Sequence, residues 1–295
     1  MSTAVEALTR LGGVATRRDL IAVTCRLDVD RALDAGDVVV LARGRYALPA
    51  ADDARKAAHR LTGAVSWRSA ALVHGWEVKF APDLPEVTVP ANRRLTPAQR
   101  AGILIHRGDL HSSEIDDGVT TKARTLADCL RGLRFDEGLA VADSALRHGF
   151  SPKLMRGIAA TARGPGAGQM RRIADHATPS AANAFESVLR GIATDVPGLN
   201  VRPQVAIYDP MFLGRPDLVD ERLLMILEAD SFEWHGNRSA LRRDARRYDE
   251  FVVRGWLVLR FAWEDVMFDP EWVRSILVAA VAERSDRACL ACRAA

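Results

Sequence analysis

The sequence predicts a multidomain α/β protein, and three observations carry that expectation. A chain of 295 residues exceeds one ordinary domain. Its first fifty residues place three short helical patterns ahead of a two-strand pattern. Its last third alternates apolar strand runs with amphipathic helices. The expected division is residues 1–50, 51–162 and 163–286, with a tail at 287–295.

Composition sets the outer limits. Hydrophobic residues at 48% and charged residues at 27% are ordinary for a globular chain with a sizeable core. With 41 basic and 38 acidic residues the net charge is only +3, so any affinity for nucleic acid must come from local clustering. No run of 18 apolar residues is present, and the start MSTAVEALTRLGG lacks a basic region followed by an apolar core. The expectation is a cytoplasmic protein without a membrane partner. Cys25 and Cys129 fall in amphipathic segments and read as buried thiols. Cys289 and Cys292 form a CxxC in the tail, but a zinc site needs two further ligands and no second CxxC exists.

Ala4, Leu8 and Leu11 have helical spacing, and Gly12-Gly13 ends that helix. Thr16 with Asp19 three residues on predicts the cap of a second helix. A third is expected near Asp28–Ala35, and VVVLARGRYALP reads as two strands around Ala42-Arg43-Gly44. Three helices and a two-strand wing are the order of a winged helix-turn-helix, which docks its third helix in the DNA major groove. Arg17, Arg18, Arg43 and Arg45 are the expected phosphate contacts, with Arg26 and Arg31 beside them. Asp28, Asp30, Asp34 and Asp37 in or beside the third helix would repel phosphate, which leaves open a winged helix used for packing or protein contact.

Residues 51–162 read as a middle α/β domain. AVSWRSAALVHGW suggests a helix ending at Gly75, PEVTVPA and GILIHRG suggest strands, and VTTKARTLADCLRGL suggests a strand entering a helix capped by Thr125. His74, His106, His111 and His148 show no metal-ligand spacing.

From Pro179 the patterns sharpen. TPSAANAFESVLRGIA is an expected helix capped by Thr178 or Ser180. VRPQVAIYD, RPDLVD and LLMILEAD are expected strands, the last apolar enough to be central. The helix SALRRDARRYDEFVVRG, the strand WLVLRFAW and a final helix EWVRSILVAAVAER follow. A hairpin between the second and third strands sets Asp217 beside Glu228, Asp230 shares the face of Glu228, and Glu186 can reach the same edge. Clustered carboxylates are costly unless a cation compensates them, and carboxylate oxygens suit Mg²⁺ or Mn²⁺. The plain alternative is a set of solvated strand ends. Arg242, Arg243, Arg246 and Arg247 lie on one stripe of the next helix, where DNA phosphates or neighbouring acids can balance them. Phe232, Trp234, Trp256, Phe261 and Trp263 read as core.

Two resemblances rest on these motifs. GGVATRRDL and VVVLARGRYALP resemble the N-terminal domain of AbiEi-type antitoxins, and GVTTKARTLADCL the segment that follows it, over about half of this chain, which implies a winged helix and a repressor of a toxin–antitoxin operon with a cognate toxin as partner. Residues 179–284 resemble Vsr-like endonucleases of the PD-(D/E)xK superfamily, through Phe185-Glu186, Arg215-Pro216-Asp217, EADSFEWHG, Asp244 with Arg247, and GWLVLRFAWEDVMFDPEWV. That resemblance implies a restriction-endonuclease-like α/β/α domain with Asp217 and Glu228 on the metal and Glu186 assisting. Asp230 stands where the superfamily has Lys; as an acid it is a further metal candidate, and His235 is the candidate proton carrier. The implied function is a metal-dependent DNA endonuclease targeted by the winged helix. The alternative is an AbiEi-like DNA-binding regulator with a degenerate nuclease domain, and a third is a protein-interaction scaffold.

Overall fold

The structure, a computed structural model, describes residues 3–230 and 238–294. It is a mixed α/β chain with several separate sheets and, among the described residues, 14 α-helices. It divides into two compact units, Met1–Gly75 with Phe80–Cys129, and Trp76–Lys79 with Leu130–Ala295.

The first unit begins with α1 (Ala4–Arg10), β1 (Val14–Thr16), α2 (Arg17–Val23), α3 (Arg26–Asp34), β2 (Val39–Ala42) and β3 (Arg45–Ala47). Thr16 caps α2 as expected, accepting from the Asp19 N–H at 3.2 Å. The hairpin turns at Arg43-Gly44, where Gly44 has φ 70°. A third strand, β1, joins it in the order β1-β3-β2. Leu8, Leu20, Val29 and Tyr46 fill the small core between helices and sheet.

The unit continues through α4 (Asp53–Leu61), β4 (Ala64–Val65), α5 (Trp67–Val73), β5 (Glu86–Val89), α6 (Pro97–Arg100), β6 (Leu104–Arg107), β7 (Ile115–Asp116), β8 (Val119–Thr120) and into α7 (Lys122–Gly132). The five strands form one sheet in the order β6-β5-β4-β8-β7. Thr125 is not the cap of α7. It lies inside the helix, buried, with its hydroxyl on Thr120, and Thr121 takes the capping place by accepting from the Arg124 N–H.

The second unit holds α8 (Phe135–Arg147), α9 (Pro152–Thr161), α10 (Ala167–His176), α11 (Ala184–Thr194), β9 (Arg202–Pro203), β10 (Ile207–Tyr208), β11 (Phe212–Gly214), β12 (Leu218–Asp220), β13 (Met225–Asp230), α12 (Arg238–Val253), β14 (Leu257–Ala262), α13 (Trp263–Phe268) and α14 (Pro270–Ala294). The last helix runs through residues read from sequence as a tail. The main sheet has the order β14-β13-β12-β9, with β13 antiparallel to β12 and parallel to β14. The apolar strand β13 is therefore internal, and Met225, Ile226 and Leu227 are fully buried. α12 makes the crossover between the two parallel strands. The expected strand VRPQVAIYD is two strands in different sheets: it breaks at Gln204, which adopts φ 56° directly after Pro203. Phe261 is core as expected, Trp256 packs at the core's edge, and Trp263 is 38% exposed. Phe232 and Trp234 lie outside the described residues. No helix among the described residues is long and apolar enough to cross a membrane.

Candidate functional site

The start of α11 is fixed from several sides. Its cap is Asn183, not Thr178 or Ser180, and Asn183 Oδ1 accepts from the Glu186 N–H at 2.9 Å. Glu77 adds a second acceptor, taking the Ala184 N–H at 2.6 Å while paired with Arg147 at 2.8 Å. Two turns on, Arg190 meets Asp143 of α8 at 2.6 Å in a pair with almost no exposure. Gly191 lets the helices touch, since a Cβ there would stand 3.0 Å from the Asp136 Cα. This frame places Glu186, 4% exposed, at one end of the sheet.

The β12–β13 hairpin supplies the rest. Leu218 is in register with Leu227, so Asp217, the residue directly before β12, falls opposite Glu228. The expected juxtaposition is present. Asp217 Oδ2 accepts from the Ala229 N–H at 2.9 Å, and Glu228 Oε2 accepts from the Asp217 N–H at 3.3 Å. Gln204 was not anticipated. Its amide donates to Glu186 Oε2 at 3.0 Å and to Asp217 Oδ1 at 3.3 Å, tying the helix acid to the strand acid. The available signal was a polar side chain directly after a proline inside an apolar run.

Electrostatics in this cluster are strained. Burial, and then the charge of Asp217, push the Glu228 carboxyl up to about 8, against the pull of Arg247. Burial also raises Asp217 and Glu186 above the ordinary carboxylate range. Glu228 Oε1 is buried with no hydrogen bond, although Arg247 Nη2 stands 3.5 Å from it. Arg247 is brought there by α12, which packs against β11: Gly214 lies so close that a Cβ would meet the Arg247 Cδ at 3.1 Å.

The other expected residues are placed differently. Asp230 is ion-paired with Arg260, whose guanidinium lies 4.7 Å from the Tyr248 ring centroid. His235 lies outside the described residues. Arg242, Arg243 and Arg246 are exposed on α12 and make no ion pair with another described residue. In the first unit Arg17 is bound to Asp30 and to the Tyr46 hydroxyl, each at 2.8 Å. Arg18 and Arg43 are exposed, and Arg45 is half-buried beside His59.

Among the described residues no three His, Cys, Asp or Glu side chains form a group able to cage an ion as they stand. The Gln204 amide stands between Glu186 and Asp217, and Arg260 is paired with Asp230. The fit to a divalent cation rests on the Asp217–Glu228 pair: a buried carboxylate oxygen without a hydrogen bond, beside a second carboxylate, is a place that a cation stabilises.

No protein-family model matches the chain, and no curated protein matches it. Among solved structures it is similar to one described as the crystal structure of the RV2827C protein from Mycobacterium tuberculosis, at 16% identity over 70% of this chain and 87% of that one, with a TM-score of 0.35. A likeness that weak supports neither a shared domain nor a shared function.

Proposed function

We propose that the chain is a metal-dependent DNA endonuclease of the PD-(D/E)xK type, with a restriction-endonuclease-like domain targeted to DNA by an N-terminal winged helix. The observation that carries this reading is the Asp217–Glu228 pair, with Glu228 Oε1 buried without a hydrogen bond and Asp217 tied to Glu186 by the Gln204 amide. Asp217, Glu228 and the Ala229 carbonyl are the groups that would hold Mg²⁺ or Mn²⁺. When bound, the ion supplies Lewis acidity toward a phosphate oxygen and toward water. The chain's own residues do the rest. Glu186 holds the Gln204 amide, and that amide fixes Asp217. Arg247 balances the charge of Glu228, the task that the superfamily gives to Lys. Arg242, Arg243 and Arg246 offer guanidiniums to phosphates. His235 is the proposed proton carrier.

The test is plasmid cleavage by the purified full chain with Mg²⁺ or Mn²⁺. Nicking or cutting that disappears in Asp217→Ala and in Glu228→Ala is expected. Absence of cleavage, or cleavage that survives both changes, overturns the reading.

One observation favours a second reading. The residue in the Lys position is an acid paired with Arg260, and Arg247 already partly compensates Glu228. A DNA-binding regulator of the AbiEi kind, with a cognate toxin as partner and a degenerate nuclease domain, accommodates both. It predicts binding to promoter DNA with steep salt dependence and no cleavage under any metal.

A further inference from the structure

In the first unit a cavity of about 290 Å³ lies among α4, β3 and the five-stranded sheet. Ala58, Val89, Leu110 and Ile115 give it an apolar wall. One side is cationic. Arg45 of β3 lines it, and among the described residues no carboxylate comes within ion-pair distance of its guanidinium. Its hydrogen-bond contact is His59 Nδ1 at 3.4 Å. A guanidinium can only donate, so Nδ1 is the acceptor. Burial, the largest effect, and Arg45 lower the His59 pKa against the pulls of the Ala15 carbonyl and Asp19, and an imidazole, which is never anionic, offers Arg45 no countercharge. Arg55, also on the wall, is different, being paired at 2.8 Å with Asp117, which lines the cavity too and is thereby neutralised.

A second guanidinium without an ion pair to a described residue stands nearby. Arg93 reaches the wall residue Thr62 at 3.4 Å, and its Nε is buried without a partner. Burial first and the charge of Arg93 second lower the Arg45 pKa, against a weaker opposing pull from Asp19. Two like charges beside an apolar cavity, neither ion-paired with a described carboxylate, are an arrangement that an incoming anion relieves.

We propose that this cavity binds a small organic anion, with its charged group on Arg45 and its apolar body against Ala58, Val89, Leu110 and Ile115. The volume is at the low end for small-molecule sites, which suits one ring or a short branched chain. A carboxylate and a phosphate monoester share the required chemistry, and the probes separate them.

The experiment is calorimetric titration of the full chain with benzoate, phenyl phosphate and the neutral benzamide, alongside thermal unfolding with each. Saturable binding of at least one anion, with none or much less for benzamide, is expected. Which anion binds tighter identifies the head group. Arg45→Gln is expected to weaken that binding about tenfold or more, and Arg45→Lys to keep part of it. Leu110→Trp, which fills the cavity and leaves every charge in place, is expected to block it, so the outcome does not depend on one variant folding. Ligand-free unfolding midpoints close to wild type show that the variants are folded. Neither anion binding at millimolar concentration, benzamide binding as tightly as benzoate, or affinity unchanged in the folded variants overturns the proposal.

Discussion

Replacing Glu228 by Gln removes one ionisable group from a buried carboxylate pair and keeps its size and its accepting oxygen for the Asp217 N–H. In the unfolded chain this carboxyl titrates near 4.5, and in the fold near 8. Between those values the folded state holds a proton that the unfolded state has released. The contribution of Glu228 is therefore fully present below about pH 4.5 and is lost as pH rises to about 8. That gap, at 1.36 kcal/mol per pH unit, is about 5 kcal/mol. It is an upper bound, because the ionised pair can relax apart and Arg247 can close on Glu228. The assay is urea unfolding of wild type and Glu228→Gln at pH 5 and pH 8 in chelator, followed by far-ultraviolet circular dichroism. Wild type should lose stability between the two pH values by up to several kcal/mol more than the variant does. At pH 8 the variant should be the more stable of the two. Parallel pH dependence in the two proteins would refute the claim that Glu228 is held protonated by burial beside Asp217.

Three further outcomes follow from the same geometry. Gln204→Ala leaves Glu186 Oε2 and Asp217 Oδ1 without their amide donor and should cost about 1–3 kcal/mol of stability, read as a lower urea midpoint, with a larger fractional loss in any DNA cleavage. Arg190→Met strands the buried Asp143 carboxylate; thermal unfolding should report a loss of about 3–5 kcal/mol. Changing Arg242, Arg243 and Arg246 together to Gln should leave stability within about 0.5 kcal/mol while flattening the log–log salt dependence of DNA binding by about 3.

The sequence made the strand-borne acids readable because the signal was local. An apolar run ending in Glu-x-Asp, preceded by Pro-Asp, determines which strand is central and which carboxyl faces which once a hairpin joins them, and the register of Leu218 with Leu227 realises it. Partners that come from elsewhere in the chain were not readable. Arg260 reaches Asp230 because β14 lies parallel to β13, a pairing made only after the α12 crossover, so the fate of Asp230 is a property of topology. Gln204 enters the cluster through a positive φ, a choice that strand periodicity does not encode. Caps behaved likewise: several Ser, Thr and Asn residues compete before α11, and Asn183 takes the place because the chain from α10 ends with the Thr178 N–H on the buried Asp143. β1 is not legible in the sequence because three residues between a glycine pair and a helix carry too little pattern, and it exists by pairing with β3.

If Asp217 and Glu228 form a site for a divalent cation, titration of the chelator-treated full chain with Mn²⁺ by calorimetry detects it without knowledge of any substrate. Saturable binding by wild type that is lost in Asp217→Ala and in Glu228→Gln is the predicted result. No binding by wild type, or equal binding by all three proteins, contradicts it.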